Sequence, residues 1–315
     1  MLKLGLQQIL LQLKVIYHSK LIRGVKAPFL NKQMKTDKDE QRLVMQVLIE
    51  EAIINPLEKI EYPTPAISFG TKQYETKDGI IEYPIPVGTY GNFSFVQAPP
   101  KSKKTFFISL LSAVYLNGQL NGITGDLKGN RENKHLVHFD TEQGNFHAQM
   151  VFKRPIEMTG TVTDKYHTLA LRQYSFNTRI EVIEFYLYDT LDGKDIGLVI
   201  IDGIADLCSD VNNIEESNAV VQKLMKWTKE LNCHIVTVIH SNFGTDKPTG
   251  HLGSFLEKKA ETQIQLELNT VNKELVTVSC KRSRNASFEN FSFKVNKYGL
   301  PQVEGDFYDP LKDMF

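Results

Sequence analysis

The sequence predicts an α/β fold in which a mainly parallel sheet, flanked by helices, ends in antiparallel strands. Three observations predict it. Short apolar runs, Phe93–Val96, Leu136–Phe139, Leu198–Ile201 and Ile235–Ile239, alternate with stretches of helical periodicity, the pattern left by strands joined through crossover helices. Past Thr262 that alternation stops, and strand-like runs follow one another directly over 263–268, 274–281 and 291–295, with turn residues at Asn269 and Asn285. The 315 residues are 41% hydrophobic and 23% charged, which supplies one large core and excludes a disordered chain.

In chain order, residues 1–36 carry seven Lys or Arg and no acidic side chain, a basic N-terminal extension with a loosely amphipathic start. Residues 37–90 read as a helix followed by an extended lead-in. Leu43, Val44, Val47, Leu48, Ala52 and Ile53 recur at helical spacing until Pro56, and Pro63, Pro65, Pro84 and Pro86 then punctuate short β-branched runs. The α/β core spans 91–300, and 301–315 form a tail.

Lys plus Arg equals Asp plus Glu at 37 each, so no bulk charge draws the chain to nucleic acid or membrane. No run of about 18 apolar residues is present, which excludes a spanning helix. Cys208, Cys233 and Cys280 are far apart in sequence and suit a reducing, cytoplasmic setting as small apolar residues.

The first core strand is followed by Ala98-Pro99-Pro100-Lys101-Ser102-Lys103-Lys104-Thr105 and then a helical run from Phe106 to Leu116. In a strand-loop-helix of this kind, backbone N–H groups and the helix N-terminus enclose phosphate oxygens. The lysine reaches the outer phosphates, and the hydroxyl ligates magnesium. The spacing is that of a Walker A loop, with Ala98 and Lys103 at its two glycine positions. A side chain there is expected to cost about 1 to 2 kcal/mol wherever φ is positive. The rival reading of the loop alone is an ordinary basic turn before a helix.

Context decides between the two. The run Leu136–Phe139 ends in Asp140-Thr141-Glu142-Gln143-Gly144, and Leu198–Ile201 ends in Asp202-Gly203. Both place carboxylates at the carboxyl end of a buried strand, the edge where open α/β sheets bind ligands. The Asp202 segment has the form of a Walker B strand, whose carboxylate orients magnesium through bound water. Ile235–Ile239 ends in His240, placed to sense a terminal phosphate; a satisfied structural histidine is the alternative.

Taken in order, APPKSKKT, HFDTEQG, LVIIDG, VIHSN and CKRSRN resemble the RecA-like superfamily of P-loop ATPases. The similarity is to the RepA and DnaB helicase-like type, carried by plasmids, phages and mobile elements, and it extends over residues 90–296. The resemblance implies a nucleotide site lined by Ala98 to Phe106, with ATP as substrate and Mg2+ held by Thr105 and, through water, by Asp202. It further implies that Glu142 activates the attacking water, that Lys104 neutralises the phosphates, and that His240 couples phosphate state to the following loop. Lys281, Arg282 or Arg284 matches the basic finger that such ATPases offer to a neighbouring subunit.

A homo-oligomer, hexameric ring or filament, follows from that last match, with single-stranded DNA as a candidate partner and no membrane. The expected function is a nucleic-acid-stimulated, helicase-like motor in replication or mobilisation of a genetic element. The loop after Asp202 argues the other way, since residues 205–216 hold Asp206, Asp210, Glu215 and Glu216 but no Lys or Arg. The loop after His240 offers Lys247 and His251. A nucleotide-dependent switch or adaptor is therefore the alternative, and a degenerate scaffold without turnover the third reading.

Overall fold

The computed structural model describes residues 37–77, 79–242, 245–269 and 271–304. The basic extension expected over 1–36 and most of the expected tail lie outside the described residues. Two compact units are separated at Tyr62 and Pro63. The first contributes one helix, α1 (Asp37–Ala52), shorter than the 38–60 pattern suggested. Met45, Leu48, Ile49 and Ile53 along it are exposed.

Among the described residues, the second unit is built on nine strands in one sheet. They are β3 (Phe93–Ala98), β5 (His135–Asp140), β6 (Tyr166–Ala170), β7 (Ile196–Asp202), β8 (His234–His240), β9 (Thr262–Leu268), β10 (Leu275–Ser283), β11 (Phe291–Val295) and β12 (Pro301–Val303). Their order is β12-β11-β10-β9-β3-β8-β7-β5-β6. From β9 to β6 every neighbour is parallel, and from β9 to β12 every neighbour is antiparallel.

The central strands are continuous apolar runs because both of their faces are covered. Leu198, Ile200, Val236 and Val238 join the core on one face. Val199, Ile201, Ile235 and Ile239 join the core on the other. The first face receives α2 (Lys104–Asn117) and α3 (Asn145–Thr159), and the second receives α5 (Ile214–Leu231) and α6 (Gly250–Lys259). Helix α4 (Phe176–Phe185) runs into one turn of π-helix before β7.

Helix α2 is apolar almost all round and buried from Phe107 to Leu116, which requires cover on its outer side as well. A small antiparallel sheet supplies it. Strands β1 (Pro65–Thr76) and β2 (Gly79–Thr89) form a hairpin, and β4 (Leu127–Gly129) pairs with β1. Ala66, Ile67, Phe69, Val87 and Leu127 pack into the same core as α2. Over 65–89 the lead-in is thus a hairpin within the compact unit that begins at Pro63.

Buried Glu261 fastens that hairpin to the main sheet. Its carboxylate accepts from Thr89 N at 2.8 Å, Thr89 Oγ1 at 2.7 Å and Asn285 Nδ2 at 2.7 Å. His234, fully buried, donates from Nδ1 to Thr89 O and accepts from Ser94 Oγ, each at 2.9 Å. Gly88 is required beside it, because a Cβ there would stand 2.0 Å from the His234 ring.

Candidate nucleotide site

The carboxyl ends of β3, β5, β7 and β8 lie side by side, since parallel pairing brings Ala98 level with His240 and Asp140 level with Asp202. Three loops and one helix N-terminus meet along this edge. The loop Pro99–Lys103 leaves β3 and enters α2, with Lys104 as the first helical residue. Ser241 N donates to Ala98 O at 3.1 Å, joining the β8 end to the root of this loop.

Backbone strain in the loop falls where side chains are least welcome. Lys103 has φ 59° and Lys101 φ 63°, the left-handed region that favours glycine. The expectation of strain holds at Lys103, the second glycine position, and moves from Ala98 to Lys101. Ala98 ends β3 with no positive φ, so its methyl costs nothing in φ. Lys103 Nζ donates to Glu274 O at 2.8 Å, which ties this ammonium to the turn before β10, while Lys101 is exposed. Ser102 is buried and donates from Oγ to Pro99 O.

Lys104 is only 8% exposed. Its Nζ donates to Pro99 O at 3.2 Å and to His240 Nδ1 at 3.0 Å. An ammonium has no acceptor, so Nδ1 accepts and the ring proton sits on Nε2. Nε2 faces Glu142 Oε1 at 3.4 Å. Lys104, His240 and Glu142, drawn from α2, β8 and the loop after β5, thereby form one chain of polar contacts. Burial pushes the Lys104 ammonium below its ordinary range. The His240 contact, aided by the charge of Lys104, holds Glu142 below the usual carboxylate range.

Two aspartates lie beneath this chain. Asp202 is 3% exposed and its Oδ2 has no hydrogen-bond partner. Burial, then the charges of Asp140 and Glu142, push its carboxyl up to about 8. Asp140 is fully buried, its Oδ1 accepts from the N–H groups of Glu142 and Gln143 at 3.0 and 2.8 Å, and its Oδ2 is also without a partner. Buried carboxylate oxygens left without donors call for a cation. Thr105, in the first turn of α2, and Asp202 fit a magnesium ion bound mainly through phosphates and water.

Sequence reasoning missed the lashing of the β5 and β7 loops. Thr141 Oγ1 lies 2.9 Å from Asp202 O, 2.8 Å from Gly203 O and 2.9 Å from Asp206 Oδ2. Arg179 of α4 donates to Asp206 O at 2.8 Å and to the carbonyls of Leu171 and Arg172. Gly203, at φ 104°, is required because a Cβ would stand 2.3 Å from Thr141 Oγ1 and 2.7 Å from Glu142 Cγ. Read in isolation, the Asp202-Gly203 dipeptide gives only a turn signal, and Asp206 only a surface charge.

Phe106 does not line the loop as an isolated aromatic. Its ring packs against the core and under the Arg154 guanidinium, 3.9 Å away. The basic run of β10 lies elsewhere. Ser283 pairs with Thr262, and Thr262 with Ser94, so Arg282 and Arg284 flank the amino-terminal end of β3, opposite the phosphate loop. Lys281 reaches back to Asp246 at 3.2 Å, and Arg284 donates to Lys259 O at 2.9 Å. The Arg282 side chain is exposed and has no hydrogen bond or ion pair among the described residues.

No helix of the described residues is long and apolar enough to cross a membrane. Among curated proteins no sequence matches the chain. The fold is RecA-like and is similar to a solved structure whose title describes it as an ATPase domain. That similarity has a TM-score of 0.50 at 15% identity and covers 68% of this chain and 85% of that one. A RadB recombinase crystal structure is similar with a TM-score of 0.45 at 16% identity, covering 67% of this chain and 90% of that one. The family model described as an AAA domain matches residues 80–246, more than half of the sequence, and the chain belongs to the AAA domain family.

Proposed function

We propose that this protein is a magnesium-dependent ATPase that hydrolyses the terminal phosphate with water, and that it works as an oligomeric, helicase-like motor on single-stranded nucleic acid. The observation that carries the ATPase reading is the convergence of Lys104, His240 and Glu142 in one contact chain above Asp202.

Lys104 is the donor nearest the loop, and its present acceptors, Pro99 O and His240 Nδ1, are neutral groups that a phosphate oxygen replaces with a stronger, charged one. Glu142, kept ionised by His240, orients the water and takes its proton. Loss of Lys104 from Nδ1 on phosphate binding frees His240 to reorient, which couples phosphate state to the loop that follows β8. Thr105 and Asp202 would hold magnesium, which supplies neutralisation of phosphate charge when bound. Positioning and charge stabilisation account for most of the acceleration.

The motor reading draws on the RecA-like fold, the resemblance to helicase-like ATPases, and a basic run on β10 that faces away from its own phosphate loop. The acidic β7–α5 loop favours the alternative, a nucleotide-dependent switch or adaptor with slow hydrolysis.

The deciding experiment compares ATP hydrolysis by wild type and Glu142→Gln, with magnesium, with and without single-stranded DNA, at two salt concentrations. The motor reading expects wild-type turnover that DNA raises in a salt-sensitive manner, and a variant that binds ATP but stalls. Wild type that binds ATP yet stays at the stalled rate throughout overturns it in favour of the switch.

A further inference from the structure

Asp140 ends β5 and Asp202 ends β7, and the two are register partners on neighbouring parallel strands, which run about 4.8 Å apart. Both are nine-tenths or more buried, and each keeps one carboxylate oxygen, Oδ2, without any hydrogen-bond donor. The other oxygen of Asp140 is fully used as the acceptor for the N–H groups of Glu142 and Gln143. Turn capping therefore explains one oxygen of Asp140 and leaves the second unexplained. The ammonium nearest to the pair, Lys104, is committed to Pro99 O and His240.

Like-charged buried oxygens on adjacent strands are unfavourable unless a cation stands between or beside them. A divalent ion that takes one or two carboxylates and completes its shell with phosphate and water suits such a pair. Among the described residues no cluster of three or more His, Cys, Asp or Glu forms a metal cage, which fits an ion held largely by its nucleotide.

We propose that Asp140 is a second carboxylate of the magnesium site, acting beside Asp202 through Oδ2 while its Oδ1 sets the loop that carries Glu142. The proposal rests on the ATPase reading above. One residue then fixes both the metal side and the water side of the phosphate, so the two are positioned together.

Asp140→Asn separates this role from capping, because the amide oxygen still accepts from Glu142 and Gln143 while the charge is gone. Mn2+ is titrated into the protein bound to a non-hydrolysable ATP analogue and followed by the loss of the free-ion EPR signal. Analogue affinity in EDTA and thermal melting in EDTA are measured alongside. Asp140→Asn is expected to weaken Mn2+ by about tenfold or more, to leave analogue affinity in EDTA intact, and to melt at or above wild type because a buried repulsion is removed. Asp140→Ala is expected to lose both functions and melt lower.

Wild-type Mn2+ affinity in the Asn variant, or a lower melting temperature for it in EDTA, overturns the proposal and leaves Asp140 as a turn cap. Failure of wild type to bind the analogue at all overturns the ATPase reading, and this inference with it.

Discussion

His240 divides its ring between two partners, taking a proton from Lys104 at Nδ1 and facing Glu142 with Nε2. The Glu142 carboxyl is held below the ordinary range chiefly by that second contact, so His240→Ala releases it upward. Since Glu142 must be ionised to take a proton from water, activity is lost as pH falls through its pKa. The acid limb of the pH–rate profile should therefore move to higher pH in His240→Ala, with nucleotide binding largely retained; an unmoved limb would show that His240 does not tune the base. Gly203 gives a second test at this scale. With φ 104° and no room for a Cβ, Gly203→Ala should cost on the order of 2 kcal/mol or more, read from the urea midpoint. His138 gives a third, since burial alone pushes its imidazole down to about 3. Between its unfolded pKa near 6.5 and about 3 the unfolded chain binds the extra proton, so stability falls with falling pH, by up to about 1.4 kcal/mol per unit. His138→Leu should flatten the fall in urea midpoint between pH 7 and pH 5, and an unchanged slope would exclude His138 as its source.

At the scale of elements, the strands that position the site were legible because each is buried on both faces and stops at a polar residue. Asp140, Asp202 and His240 are visible in the sequence for that reason, and Lys104 from its place between a strand and an apolar helix. Strands β4 and β12 were not legible, being three residues each, nor was β6, whose Tyr-His-Thr-Leu-Ala is only partly buried at the sheet edge. The β1–β2 hairpin was obscured by its prolines. Pro84 and Pro86 sit on β2, an edge strand, and Pro86 pairs within an irregular stretch, where a missing N–H is tolerated. The strain in the phosphate loop was half legible, since a motif marks Lys103 but only the backbone marks Lys101. At Lys101 the left-handed penalty offsets the entropic cost of glycine. Lys101→Gly should accordingly be neutral or stabilising by up to about 1 kcal/mol, whereas Lys101→Val should destabilise by more than about 1 kcal/mol. Thermal melting of the pair checks this, and a glycine variant less stable than the valine one would refute it.

At the scale of the whole molecule, the antiparallel turn-back of β10 carries the basic run away from the site it was expected to serve. Ser283 is level with Thr262 and Ser94, whereas the phosphate loop leaves β3 at Ala98. Arg282 and Arg284 therefore face away from their own nucleotide, and a part in hydrolysis requires a neighbouring copy. Of the three candidates, Lys281 is held by Asp246 and Arg284 by the carbonyl of Lys259. The Arg282 side chain has no such engagement among the described residues, so it has least to give up on reaching across an interface. A head-to-tail interface of this kind has two unlike sides, which makes the idea testable by mixing. Glu142→Gln lacks the base but offers Arg282, and Arg282→Ala lacks the finger but keeps Glu142. Each alone should be nearly inactive. Mixed in equal amounts and reassembled, they should regain activity at roughly a quarter of interfaces, where the base of one copy meets the finger of the next. Full wild-type turnover by Arg282→Ala alone would remove Arg282 from the reaction. An inactive variant that no mixture rescues would place its effect within a single copy, and the oligomeric site would then have to be built from other residues.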